Sequence, residues 1–273
     1  MTRLSNDNLD MTGWHRHPRG GGLVQDTAVV AATAWVGPYA KVHGNAYVSG
    51  NAKVYDEAQV YGNAKVYGLA RVYENARVYG EARLYGLANV FGEAQVYGNA
   101  EVHGDVQVFC EAQVYGNAEV YCNAIVCGNA YVQDRVNGYG NALLFGKARI
   151  YGDAKVFNNA NVYDDAEVCD DARVYGNSQV YGNANVGDYA EVYGHAKVYG
   201  EARIYGDAEV YGDAQVYGNA RIYDHAEVRD EARVHDSADV YGNAAVYGDV
   251  ELYGDIEVYG DIGLQGGFRG SET

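Results

Sequence analysis

The sequence predicts an all-β chain built as one three-sided parallel β-solenoid with about 18 residues per coil. Three observations carry that prediction. An aliphatic residue falls on nearly every position divisible by six from Val24 to Leu264, so about 41 six-residue units run on without insertion or deletion. Within each unit a small and an aliphatic residue flank a polar one, as in Ala64-Lys65-Val66, the alternation of a strand with one buried face. A pair such as Gly62-Asn63 then follows, and Gly and Asn take positive φ at least cost, so the pair is a bend.

Three strands and three bends, one of each per hexad, close a triangle of about 18 residues. Coils stacked at about 4.8 Å through parallel hydrogen bonds give about 13 coils and a rod on the order of 65 Å long. A helix is excluded, because it needs apolar residues three and four apart and loses roughly 1 kcal/mol at each repeating Gly. The interior holds only Val-like and Ala-like side chains. It is a narrow, dry prism with no room for a ligand.

The units Val60 to Ala64, Val96-Tyr97-Gly98-Asn99-Ala100 and Val216-Tyr217-Gly218-Asn219-Ala220 resemble the hexapeptide repeat of left-handed parallel β-helix proteins. The likeness covers roughly nine tenths of the chain, which departs from the family by placing Tyr where many members have Gly. A left-handed coil is implied by the resemblance alone. Because parallel crossovers generally favour the right hand, a right-handed three-sided solenoid of the polymer-forming bacterial cytoskeletal type is the alternative. The resemblance implies a bacterial or phage source, since such low-complexity hexad arrays look like cytoskeletal or virion scaffold parts.

Three regions follow: a cap segment over 1–23, the repeat over 24–264 and a short tail over 265–273. The first coil of a solenoid exposes apolar core and strand edges and needs a cover, and Trp14 is assigned to that open end. His15 and His17 alternate as metal ligands would, but no third ligand accompanies them. The first repeats lack the aromatic bend. Val36-Gly37-Pro38-Tyr39-Ala40 carries the aliphatic-Gly pair, and the regular Tyr pattern runs from Tyr55 to Tyr259. Val136 and Gly138 exchange the small and large core positions, which keeps core volume. Val250, Ile256 and Ile262 enlarge the small position into an expected C-terminal plug, and an end this briefly covered is expected to stack on another molecule.

A net charge of −17 argues against a nucleic-acid partner. No apolar run reaches the ~18 residues of a membrane span, so no membrane partner is expected. Residues 1–7 lack the apolar core of a signal peptide. Four cysteines, Cys110, Cys122, Cys127 and Cys169, suggest a reducing compartment. The expected location is cytoplasmic or virion-associated.

Two enzyme classes share the resembled fold. Hexapeptide acyltransferases add a loop, a catalytic His and a C-terminal helix, and γ-type carbonic anhydrases gather three His on zinc. No loop interrupts the register here, and His43, His103, His195, His225 and His235 fall on five different vertical ladders. Cys127 lies diagonally next to Cys110, close enough to conceive a disulfide, although free thiols are expected in a reducing cell. Paired carboxylates such as Asp164-Asp165 lie at wet bends, where nothing raises a pKa for acid–base work. No catalytic residue, metal or cofactor is assigned.

Aromatic residues stand out. Of 28 Tyr, 24 follow the aliphatic, and Phe91, Phe109, Phe145 and Phe157 join them. The three-hexad coil sorts them into three ladders, one of which contains Tyr61, Tyr79, Tyr97 and Tyr115. Stacked rings stiffen a sheet by about 0.2–1 kcal/mol per pair. Exposed, they would bind a second copy or a glycan. Ice binding by Thr arrays is excluded, because Thr occurs only at 2, 12, 27, 33 and 273. The resulting expectation is a non-enzymatic structural rod or scaffold that associates with itself, end to end or laterally. The alternatives are a glycan-binding or adhesive module using the Tyr ladders, and a degenerate acyltransferase or γ-carbonic-anhydrase-like protein.

Overall fold

The small residue two places before each aliphatic brings both side chains to one face of a two-residue strand, and the bend that follows turns the next strand inward. Repetition of that step builds the molecule. In the computed structural model, which describes residues 12–266 and 269–270, 43 strands form three sheets of 15, 14 and 14 strands. Within the repeat each strand pairs in parallel with the one three places on, 18 residues away, as Lys65 with Arg83 and Arg83 in turn with Glu101. Fourteen parallel strands per sheet make 14 coils, with the strand Arg269–Gly270 extending the stack beyond Leu264. No helix of the described residues is long and apolar enough to cross a membrane. The expectations placed on residues 1–11, 267–268 and 271–273 lie outside the described residues.

The core is a single column of Val and Ala, fully buried from Val36 to Leu252. Ser178 replaces Ala once, and its buried hydroxyl donates to the Tyr175 carbonyl at 2.9 Å, so no polar atom is left unpaired there. Val136 and Gly138 are both buried, and a Cβ at Gly138 would meet Leu144 and Val120 at 3.9 Å, ordinary contact distance.

Backbone bonds between coils recur at three points in each unit, as Lys65 N to Ala82 O at 2.8 Å, Tyr67 N to Leu84 O at 3.0 Å and Leu69 N to Gly86 O at 2.9 Å. From Gly44 onward the residue after the aromatic position sits at positive φ in every unit. Twelve of these bends carry a residue other than Gly, and eight of the twelve are Asp. The carboxylates accept the N–H of the next coil's bend, as Asp188 from Gly206 at 3.0 Å and Asp224 from Gly242 at 3.1 Å. The residue after the bend forms amide ladders, with Asn141 donating to Asn159 and Asn159 to Asn177, both at 2.9 Å.

The two ends differ. At the N-terminal end β1 (Trp14–Arg16) pairs antiparallel with β2 (Leu23–Gln25) and covers the edge of the first sheet. The loop behind it lies on the strand Trp35–Val36, with Gly22 N donating to Val36 O at 2.9 Å and Val36 N to Arg19 O at 3.0 Å. A Cβ at Gly20 or Gly22 would come within 2.2 Å of the Val36 or Gly37 carbonyl, so only glycine allows this approach. His17 is buried beneath the loop. At the opposite end Val250 is buried and Ile256 half-buried, while Ile262 is 49 % exposed. Among the described residues, the strands Glu257–Tyr259, Gly263–Gln265 and Arg269–Gly270 have a neighbour on one side only.

Candidate functional site

Each aromatic residue leaves its strand just before the bend, where the backbone turns the side chain outward. Residues one coil apart then stand directly above one another, and the rings stack. On the first sheet His43, Tyr61, Tyr79, Tyr97 and Tyr115 form one column, with Tyr61, Tyr79, Tyr97 and Tyr115 at ring-centroid steps of 4.8 Å and interplanar angles of 2–3°. Trp14 lies half-buried at the foot of this column, 5.8 Å from His43 and tilted by 48°. It therefore covers the first ring of a ladder on the outer face, while β1 and the Gly-rich loop lie over the strand edges. Tyr205, Tyr223, Tyr241 and Tyr259 resume the column higher up.

The second sheet carries nine rings without a gap, from Tyr67 through His103 and Phe157 to Tyr211, after which Arg229 packs on Tyr247 at 4.5 Å. The third sheet has Tyr55 to Phe109 and then Phe145 to Tyr253, separated by Cys127. Rings inside a ladder are half-buried, because each covers the face of the next, whereas Tyr259 at the end of its column is exposed. Inside a ladder the edges and hydroxyls meet solvent and the faces do not.

The hydroxyls have recurring partners. Several lean over the polar strand residue of the next coil: Tyr79 donates to Gln95 and Tyr97 to Gln113 at 3.0 Å, Tyr175 to Glu191 at 2.8 Å and Tyr193 to Glu209 at 2.7 Å. Burial of the phenol, with neighbouring Tyr115, Tyr79 and Tyr131, pushes the Tyr97 pKa up to about 12. Burial, then the hydrogen bond to Glu191, raises that of Tyr175 as well. The hydroxyl partners escaped the sequence reading. Their signal was Gln or Glu 16 residues after a Tyr, one coil less two.

The first-sheet column is broken between Tyr115 and Tyr205. Gln133, Cys169 and Gly187 stand at ring positions, and among the described residues Tyr151 between them has no ring partner. Tyr115 cannot use its usual acceptor, since Tyr131 occupies that place, and its hydroxyl donates to Gln133 instead. All four cysteines are free thiols. Burial pushes the Cys169 thiol up to about 12, and its Sγ donates to Asp170 at 3.2 Å. His15 Nδ1 lies 2.9 Å from Asp26, and His17 Nδ1 lies 3.1 Å from the Arg19 carbonyl. Among the described residues no three of His, Cys, Asp or Glu converge as metal ligands would.

No curated protein matches the chain at a significant level. A family model does match within it: residues 112–128, 166–182, 202–218 and 214–229 fit the YdcK beta solenoid repeat. Each match begins at an Ala just before a strand and spans about one coil, and those at 112, 166 and 202 begin at the same corner of the triangle. These stretches of the chain are thus similar to the YdcK beta solenoid repeat.

Proposed function

We propose that the protein is a non-enzymatic rigid rod, a spacer or scaffold part that joins copies of itself end to end. The observation carrying this reading is the contrast between the ends: backbone covers two sheet edges at one, while at the other, among the described residues, three strands keep an unpaired side beside exposed Ile262 and Tyr259. Unpaired parallel edges are templates for further strands. Charge supports contact between unlike ends, because residues 12–85 hold eight Lys or Arg against five Asp or Glu, whereas 201–266 hold four against fifteen. Tail-to-tail contact would bring acidic ends together. A heterologous contact of this kind propagates as a filament unless it closes into a ring.

Light-scattering mass and electron microscopy of the purified protein test the reading. Filaments or defined oligomers are expected, shortened by Ile262→Lys and by raised salt, which screens the end charges. Monodisperse rods of 29.6 kDa at all concentrations would overturn it.

A further inference from the structure

A continuous aromatic ladder has no face to offer a ligand, but its interruption does. At Gln133 a ring position is filled by an amide, and the Tyr115 and Tyr151 positions around it lie two coil steps apart, about twice the 4.8 Å ladder spacing. Tyr115 stacks on Tyr97 through one face only, and among the described residues no ring lies on its other face. A groove of about 390 Å³ opens here, lined by Tyr115, Tyr131, Gln133, Arg149, Tyr151 and Glu167. It adjoins a second groove of about 510 Å³ that shares Tyr131, Arg149 and Glu167, so the two run along either side of one polar strand ladder. Volumes of this size are in the range of small-molecule sites.

We propose that this break binds a glycan, seating one pyranose ring between Tyr115 and Tyr151 and the next unit in the adjoining groove. Three features of the groove favour a sugar. The two aromatic faces offer negative π-density to the C–H groups that a pyranose with equatorial substituents presents on its flat sides. The polar groups come as donor with acceptor: Arg149 Nη1 lies 3.1 Å from Glu167 Oε1, and the Gln133 amide, which accepts from the Tyr115 hydroxyl and donates to Asp134 at 3.3 Å, keeps a second N–H for a sugar hydroxyl. Neighbouring hydroxyls, each able to give and take a hydrogen bond, match such pairs, whereas a bare aromatic ring leaves them unmatched. The paired grooves also suit a chain of linked rings better than a single flat molecule. This site is independent of self-association, since it lies mid-rod.

The test is calorimetric titration of the full chain with cellohexaose and with chitohexaose, both of which present equatorial substituents. At least one should bind. Gln133→Tyr restores the missing ring and fills the slot, so it should weaken binding more than tenfold while circular dichroism stays unchanged. Tyr151→Ala should do the same by removing one wall. Tyr199→Ala, inside the continuous Phe145–Tyr253 stretch of the third-sheet ladder, should stay within twofold of the parent. Absence of binding by both sugars at millimolar concentration would overturn the proposal, as would parent-like affinity in Gln133→Tyr. So would adenosine binding in the slot in preference to the sugars.

Discussion

At the bend residue, a Cβ added to Gly62 would meet Gly80 N at 2.9 Å, and the φ of 69° already disfavours any L side chain. Gly62→Ala should therefore cost about 1–2 kcal/mol. Gly62→Asp should cost less, because its carboxylate can take the Gly80 N–H as Asp188 takes that of Gly206; equal midpoints in urea for the two variants would refute this account. The bend itself was legible from Gly-Asn, but the Asp role was not. Acidic residues at bends read as solvated surface until the stacking of coils puts each carboxylate beside the next coil's amide. A second residue-scale effect lies at His43, between Trp14 and Tyr61. Burial chiefly lowers its pKa from 6.5, opposed by a hydrogen bond to Gln59 and helped by Lys41. The unfolded chain then binds the proton more readily, so stability present above pH 6.5 is lost as pH falls through the folded value. Emission from Trp14 and Trp35 should report loosening of the first coils in mild acid, and His43→Tyr should abolish that pH response.

At the level of ladders, rings and hydroxyls act together. Tyr97, raised to about 12 by burial and by Tyr115, Tyr79 and Tyr131, contributes stability that is intact below pH 10 and lost as pH rises toward 12. Phenolate absorbance should therefore rise late and together with loss of the circular dichroism signal; early ionisation near pH 10 with the fold intact would contradict the stacked, hydrogen-bonded arrangement. Which residues share a ladder was legible from arithmetic alone, since positions separated by three hexads must superpose once the coil is granted. How the rings present themselves was not. The sequence permits exposed faces, while the ring steps of about 4.8 Å turn each face toward its neighbour. The break at Gln133, Cys169 and Gly187 was equally visible as three missing aromatics, yet its meaning depends on Arg149 and Glu167, which lie on a different register position of neighbouring coils.

Over the whole molecule, nearly every contact links residues one coil apart, so the solenoid was the most legible feature of all. The ends were the least, because the repeat stops specifying them: Trp14 finds a ladder, and Gly20 and Gly22 find a strand edge, through contacts that no periodicity encodes. The same regularity has a mechanical corollary. The bonds of all three sheets point along the rod axis, so tension between its ends loads successive coils in series, whereas compression only presses them together. Pulled in an optical trap, the rod should peel one coil at a time, each event freeing about 18 residues, or roughly 60 Å of chain. A single all-or-none rupture would contradict this. Such a body bears thrust far better than pull, which suits a strut more than a tether.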